Sequence, residues 1–330
     1  MTDVAKAAGV SPMTVSRAFK KDASVGDATR ARILQVAREL GYVFDATASN
    51  LRSKRTGFVA VTVPSLNNAN FADTVTAMTA RLAENDLQVL LGYTNYNITG
   101  EEKLVEQLLR RRPDALVLTG GRHSDQTRRV LTQSDIPVIE TWDLPADPIR
   151  HVVGFSNAQT MQDMVDHLVA KGHRHLAFIG GEAVGDTRGA DRRRGFVAAL
   201  QRHDLPTDAL ISAGPAPISM RSGAEAMAHL LADHPKVSAV VCVSDLSAFG
   251  ALTQCQRQGI DVPDDMAIAG FGNFELSQIS FPAITTIDAQ SHDIGLKTAD
   301  LLIRVLGDRT LGHQIEQVTP RLIARASTGD

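Results

Sequence analysis

An alternation that begins at Phe58 constrains this chain more than any other feature. The near-continuous apolar runs FVAVTV, LQVLLGY, ALVLT, PVIET, HLAFIGG, AVVCV and MAIAGF are separated by segments of helical length, among them 71–85, 101–112, 157–171, 188–203 and 219–234. A strand that is apolar on both faces must be covered on both faces, and repeated βα units do this by crossing back with a helix. The chain beyond residue 57 therefore predicts parallel sheets sandwiched between helices. In open sheets of this kind, ligands bind at the carboxyl ends of the strands.

Those strand ends carry candidate ligand groups. Ser65, Asn67 and Phe71 follow FVAVTV, and Trp142, the single tryptophan, follows PVIET. Arg188 and Arg192 lie beyond HLAFIGG in GDTRGADRRRGF, Ser244 follows AVVCV, and Gly272 with Asn273 follows MAIAGF. Trp142 is open to two readings, internal packing or a platform for a sugar ring.

The first 56 residues differ in kind. Thr2 is placed to cap a helix through Ala8, with Gly9 suited to the left-handed position after it. Ser11 is placed to cap a second helix with Pro12 at its first position, where the missing N–H costs nothing. A third helix is expected over Ala28 to Leu40, with Thr29, Ile33, Val36, Ala37 and Leu40 on one face and Gly41 as the stop. The small Ala5, four residues before Gly9, lets two short helices cross closely, which is a helix-turn-helix arrangement. Residues 1–56 hold ten Lys or Arg against five Asp or Glu, a local charge of +5 in a chain whose net charge is −3. A basic head on an acidic body points to a polyanion partner for the head alone, against the blander reading of a solvated surface.

The string DVAKAAGVSPMTVSRAF, followed by VGDATRARILQVARELGYVFDATASNLRSKRTG, resembles the DNA-binding head and hinge of the lactose-repressor (LacI) family. The resemblance continues through VGFSN, GHRHLAFIGG, RRRGF, AVVCVSDLSAFGAL, VPDDMAIAGFGNFE and PAITTID, and so covers essentially the whole chain. Within the family, ETWDLP, VGFSN and AGFGNFE are most similar to the gluconate-repressor branch. The resemblance implies an all-α helix-turn-helix head plus an α/β two-lobed periplasmic-binding-protein-like body with parallel sheets. It implies a head over 1–44, a hinge helix over 45–56, and a body over 57–330. The body divides into lobe 1 (57–156 and 287–318) and lobe 2 (157–286 and 319–330).

It also assigns roles. Pro12, Met13 and Arg17 fall at base-reading positions, where an arginine can donate two parallel hydrogen bonds to guanine O6 and N7. Ser11, Thr14, Ser16 and Thr29 fit phosphate contacts, with capping as the alternative for these hydroxyls. Ala48, Leu51 and Arg52 belong to the hinge, where Leu51 would wedge a central base step in the minor groove. Asp45 departs from the family pattern and sets a negative charge near the phosphates. Arg192 falls at the family's effector-binding arginine, and Ser244 and Gly272 fall at two further ligand positions. Relatives often carry an aspartate where this chain has Gly272. Losing that carboxylate while keeping Arg192 favours an anionic effector, because arginine holds a carboxylate with two charge-assisted bonds. The expected partners are operator DNA, a sugar-acid effector and a second copy of the chain, since no long extension follows PRLIARAST.

Other classes are disfavoured. No apolar run reaches membrane-spanning length, and MTDVAKAAGVSPMT lacks the apolar core of an export signal. Only Cys242 and Cys255 occur, which suits a reducing cytoplasm. His173 and His175 alternate as two metal ligands would, but no further ligands cluster with them. No catalytic triad or dinucleotide fingerprint can be assigned, so neither an α/β sugar-metabolising enzyme nor a sugar-binding transport protein is preferred, and no cofactor is expected.

Overall fold

The computed structural model describes residues 1–19, 25–44, 55–181 and 185–330, in two compact units, Met1–Thr56 and Gly57–Asp330. Ala48, Leu51 and Arg52, expected on the hinge helix, lie outside the described residues.

The first unit has three helices, α1 (Thr2–Ala7), α2 (Pro12–Ala18) and α3 (Asp27–Glu39). Val4, Ala5, Ala8, Val15, Ala18, Ile33 and Ala37 form its core. Gly9 turns the chain between α1 and α2 at φ +62°, a backbone conformation that glycine adopts without a Cβ penalty. Arg32 reaches from α3 to donate to the Ala8 carbonyl at that turn. Ser11 caps α2 by accepting from the Thr14 N–H at 3.1 Å, and Pro12 opens the helix as expected. Two local expectations fail. Thr2 is already helical, with Met1 as an N-cap that makes no side-chain bond. Leu40 is 52% exposed, because α3 ends before it. Gly41 then turns the chain left-handed, and the Tyr42 N–H bonds the Ala37 carbonyl, so Tyr42 packs on the core instead.

In the second unit, β1 (Phe58–Val63), β2 (Gln88–Tyr93), β3 (Ala115–Thr119), β4 (Val138–Thr141), β5 (His151–Gly154) and β11 (Ile315–Gln317) form an all-parallel sheet in the order β11-β5-β4-β3-β1-β2. A second parallel sheet, order β7-β6-β8-β9, contains β6 (Leu176–Gly180), β7 (Leu210–Ser212), β8 (Ala239–Cys242) and β9 (Ala267–Ala269). A short antiparallel ribbon pairs β10 (Thr286–Asp288) with β12 (Arg321–Ile323). The body is thus two-lobed. The chain leaves the first sheet after β5, returns after β10, and leaves again after β11.

Double-sided burial is visible within single strands. Val59, Val61, Ala115 and Val117 face one apolar cluster, while Ala60, Leu116 and Leu118 face another. Helices cover the sheets: α4 (Ala69–Ala83), α5 (Ile98–Arg110), α6 (Asp125–Gln133) and α12 (Ser291–Gly307) on lobe 1, and α7 (Asn157–Ala170), α8 (Thr187–Arg202), α9 (Met220–Asp233) and α10 (Asp245–Gln258) on lobe 2, with the single turn α11 (Glu275–Ile279) after β9. At Gly195 of α8, an added Cβ would lie 2.0 Å from the Ala158 carbonyl, so only glycine lets α7 and α8 pack this closely. Among the described residues no helix is long and apolar enough to cross a membrane.

Candidate ligand cleft and nucleic-acid interface

The head presents one face of α2 to water. Pro12, Met13 and Arg17 are all exposed, Met13 by 62%, while Val15 and Ala18 on the opposite face are buried. Met13 and Arg17 are one helical turn apart and share a side. The hydroxyls are partly engaged: Ser11 Oγ and Thr14 Oγ1 are 2.9 Å apart, in addition to the cap. Ser16 and Thr29 are half-buried.

In the body, the carboxyl ends of the strands and the amino ends of four helices converge on one cavity of about 200 Å³. Asn68, Asp186, Ser219 and Ser244 are the N-caps of α4, α8, α9 and α10, and all four line it. Helix amino ends carry partial positive charge and unpaired N–H groups, so their convergence favours a negative or oxygen-rich ligand. Of the residues singled out from the sequence, Ser65, Asn67, Phe71, Trp142, Arg188, Arg192 and Ser244 line this cavity.

The two arginines are fixed differently. Arg192 Nε donates to Asn157 Oδ1 and Nη1 donates to the Val243 carbonyl, both at 3.0 Å, and the guanidinium lies over Phe271, 3.5 Å from the ring centroid. It forms no helix-face salt bridge among the described residues. Burial pulls it down to about 10, and it remains charged at neutral pH. Arg188 reaches across from lobe 2 to donate to the Thr119 carbonyl at the end of β3, 3.1 Å away, and sits 5.3 Å from the Phe71 centroid. Between these cations runs an aromatic series, Phe271–Phe155–Trp142–Phe71, with successive centroids 6.2, 6.0 and 5.2 Å apart. Trp142 therefore both packs and lines the cavity. Its Nε1 is buried with no hydrogen-bond partner among the described residues.

The structure adds lining residues that the sequence reading missed, among them Asn68, Ser219, Phe271 and the titratable pair Tyr96 and Asp186. Tyr96 sits at φ +54° in the turn after β2, and burial pushes its phenol up to about 12, leaving a neutral donor. Asp186 accepts from the Gly189 N–H at 3.1 Å. It is the one carboxylate among the described lining residues, against Arg188 and Arg192, so the cavity is cationic by one charge. Asp186 had a signal, an N-cap residue immediately before a helical run, whereas Tyr96 had none.

Gly272 and Asn273 line a neighbouring cavity with Asn70, Asp73 and Phe274. Gly272 has φ +130°, and a Cβ there would lie 2.6 Å from the Phe274 ring and 3.0 Å from Asn70 Nδ2. Asn273 Oδ1 accepts from Arg325 Nη2 at 2.6 Å. His173 Nδ1 is 2.9 Å from Ser238 Oγ, and no cluster of three or more metal-ligating side chains exists among the described residues.

Residues 1–45 match the family described as bacterial regulatory proteins, lacI family, and residues 165–328 match the periplasmic binding protein-like domain. The HTH-type transcriptional regulator GntR of Pseudomonas aeruginosa is 35% identical over 328 residues, 99% of this chain and 95% of the relative. A crystal structure of a LacI-family transcriptional regulator from Silicibacter pomeroyi superposes with a TM-score of 0.91 at 32% identity, covering 99% of this chain and 98% of that one. The lac repressor dimer bound to operator and the anti-inducer ONPF shares the fold, with a TM-score of 0.86 at 23% identity over 99% of this chain and 98% of that one. The chain belongs to the lacI family of bacterial regulatory proteins, and it is a transcriptional regulator with a DNA-binding helix-turn-helix head.

Proposed function

We propose that this regulator is a cytoplasmic homodimeric repressor of sugar-acid catabolism genes, and that its grip on operator DNA is set by a gluconate-like acid held between the lobes. The observation that carries this reading is the pair Arg188 and Arg192 in a cavity with one opposing carboxylate. A guanidinium binds a carboxylate through charge-assisted bonds. The side chains of Ser65, Asn67 and Tyr96, together with the Trp142 Nε1, which has no partner among the described residues, suit the hydroxyls of the same ligand. The gluconate-repressor-like motifs and the full-length likeness to GntR support the same class.

In this reading the head spans 1–44, the hinge 45–56, lobe 1 57–156 with 287–318, and lobe 2 157–286 with 319–330. Pro12, Met13 and Arg17 read bases. Ser11, Thr14, Ser16 and Thr29 meet phosphates, and Ala48, Leu51 and Arg52 enter the minor groove. A second copy covers the exposed apolar side chains Ile279 (77%) and Phe281 (89%) of lobe 2. The effector releases DNA, and by linkage it binds the DNA complex more weakly than the free protein.

The test is a mobility-shift titration on genomic fragments with and without D-gluconate, paired with calorimetry against sugar acids and neutral sugars. Salt-sensitive DNA binding that D-gluconate weakens is expected. Preference for a neutral sugar sinks the effector class, and absence of DNA binding sinks the whole reading. Turnover of a sugar in the same samples would favour an enzyme instead.

A further inference from the structure

Asn157 is the first residue of α7 and is 1% exposed, yet its amide has a partner in each lobe. Oδ1 accepts from Arg192 Nε on α8, and Nδ2 donates to the Trp142 carbonyl beyond β4, both at 3.0 Å. We propose that Asn157 is a positioning residue that couples the ligand-facing guanidinium of Arg192 in lobe 2 to the Trp142 backbone of lobe 1, so that an anion captured at Arg192 moves lobe 1; this rests on the reading of the cleft as the effector site.

Three observations carry the inference. First, the other freedoms of Arg192 are spent: Nη1 is tied to the Val243 carbonyl, and one face is covered by Phe271. Among its described hydrogen bonds, the one at Nε is to a group that also bonds lobe 1. Second, Trp142 sits at φ +66°, a conformation that a bulky side chain disfavours and that persists only while its surroundings hold it. The holding bonds are Trp142 N–H to the Val153 carbonyl at 3.2 Å and the Asn157 amide to the Trp142 carbonyl. Loosening either bond releases a disfavoured conformation, so the Trp142 backbone is sensitive to what Asn157 does. Third, the link demands one group that accepts on one side and donates on the other. A carboxamide does both, and an ionised carboxylate cannot. Gly195, one turn beyond Arg192 on α8, lets the helices approach closely enough for the link to form.

Trp142 is the single tryptophan, so its fluorescence reports the lobe 1 end of the link without a label. The experiment uses the full chain, wild type, Asn157→Ala and Asn157→Asp, each with and without Arg192→Met, with cooperative melting checked for all six. Asn157→Asp keeps an acceptor for Arg192 and loses the donor to Trp142, so it serves if the alanine variant does not fold. Acrylamide quenching and emission wavelength are read first without ligand. Arg192→Met is expected to change both in the Asn157 background and to change neither once Asn157 is replaced. Equal change in every background, or no change in any, overturns the coupling. D-gluconate is then added as the probe. Because Trp142 also faces the ligand directly, the size of the response is what is compared: a tryptophan response that is smaller in Asn157→Asp than in wild type at saturating D-gluconate, with calorimetry recording binding to both, supports the link, and a response of equal size overturns it. No binding of D-gluconate to wild type defeats the ligand reading alone, because the unliganded cycle still judges the link.

Discussion

The reading face of α2 and the floor of the cleft are both recognition surfaces, but they hold their charged groups in opposite ways. Arg17 and Met13 stand in water, carried on a helix whose other face is core. Arg192 is buried and tied down at two nitrogens and one face before any ligand arrives. A duplex supplies its own dense field of phosphates and donor–acceptor edges, so its reader can remain mobile until it docks. A small acid supplies few contacts, so its site must be prepaid in orientation. The difference predicts that substitutions of the buried cleft arginine damage both ligand binding and the body, whereas substitutions of the exposed Met13 and Arg17 on α2 damage only DNA binding.

The largest effect is expected at Arg192. Arg192→Met removes the charge and leaves the Val243 carbonyl and Asn157 Oδ1 without their donors. Truncating one partner of a buried charged hydrogen-bond pair costs about 2–5 kcal/mol, roughly thirtyfold or more in affinity. Calorimetry with D-gluconate should record that loss, and operator binding without effector should remain. If effector affinity survives, the prepaid site is elsewhere.

Next is the buried trio of lobe 1. His123 Nδ1 lies 2.6 Å from Glu101 Oε1, and Nε2 lies 3.5 Å from Glu140 Oε1, with the imidazole fully buried. Burial pulls this histidine down, but its hydrogen bond to Glu101 and the close Glu140 carboxylate outweigh burial and raise it to about 9. A raised folded value means that the stabilisation is fully present below the unfolded value, near 6.5, and is lost as pH rises through about 9. At about 1.4 kcal/mol per unit, the loss is on the order of 3 kcal/mol. Denaturant midpoints of the body should therefore fall between neutral and alkaline pH, and His123→Gln should flatten that slope. An unchanged slope would falsify the assignment of this pH dependence to His123.

Arg17→Ala belongs lower in the order. It should cost roughly 1–3 kcal/mol at its own base step and leave body stability untouched. Titrations against operator variants measure this, and a uniform loss across all variants would turn Arg17 from a base reader into a phosphate contact.

The same contrast explains what the sequence disclosed. FVAVTV and ALVLT became strands residue for residue, because burial on both faces leaves no polar interruption to blur their ends. His151–Gly154 and Leu210–Ser212 are too short to carry a pattern, and the second is only partly buried. Arg192 and Ser244 were found because motif and strand order both led to them. Tyr96 escaped because a positive-φ turn residue follows no periodicity. Leu40 misled because helical spacing cannot say where the helix stops, and Tyr42 beyond the stop took its place in the core.

The smallest effect falls on Ser11, and it separates two roles that the contrast would otherwise merge. Its Oγ accepts the Thr14 N–H and also lies 2.9 Å from Thr14 Oγ1, so the hydroxyl already caps α2 in the absence of DNA. Losing such a cap costs about 1 kcal/mol of helix stability. If capping is its whole task, Ser11→Ala lowers head stability by that amount, and Ser11→Asp, an equally good cap, restores it along with DNA affinity. If the hydroxyl also meets a phosphate, Ser11→Asp restores stability but not affinity, because its carboxylate repels the backbone it faces. The proposed phosphate contact requires the second outcome, and recovery of both properties would reduce Ser11 to a cap.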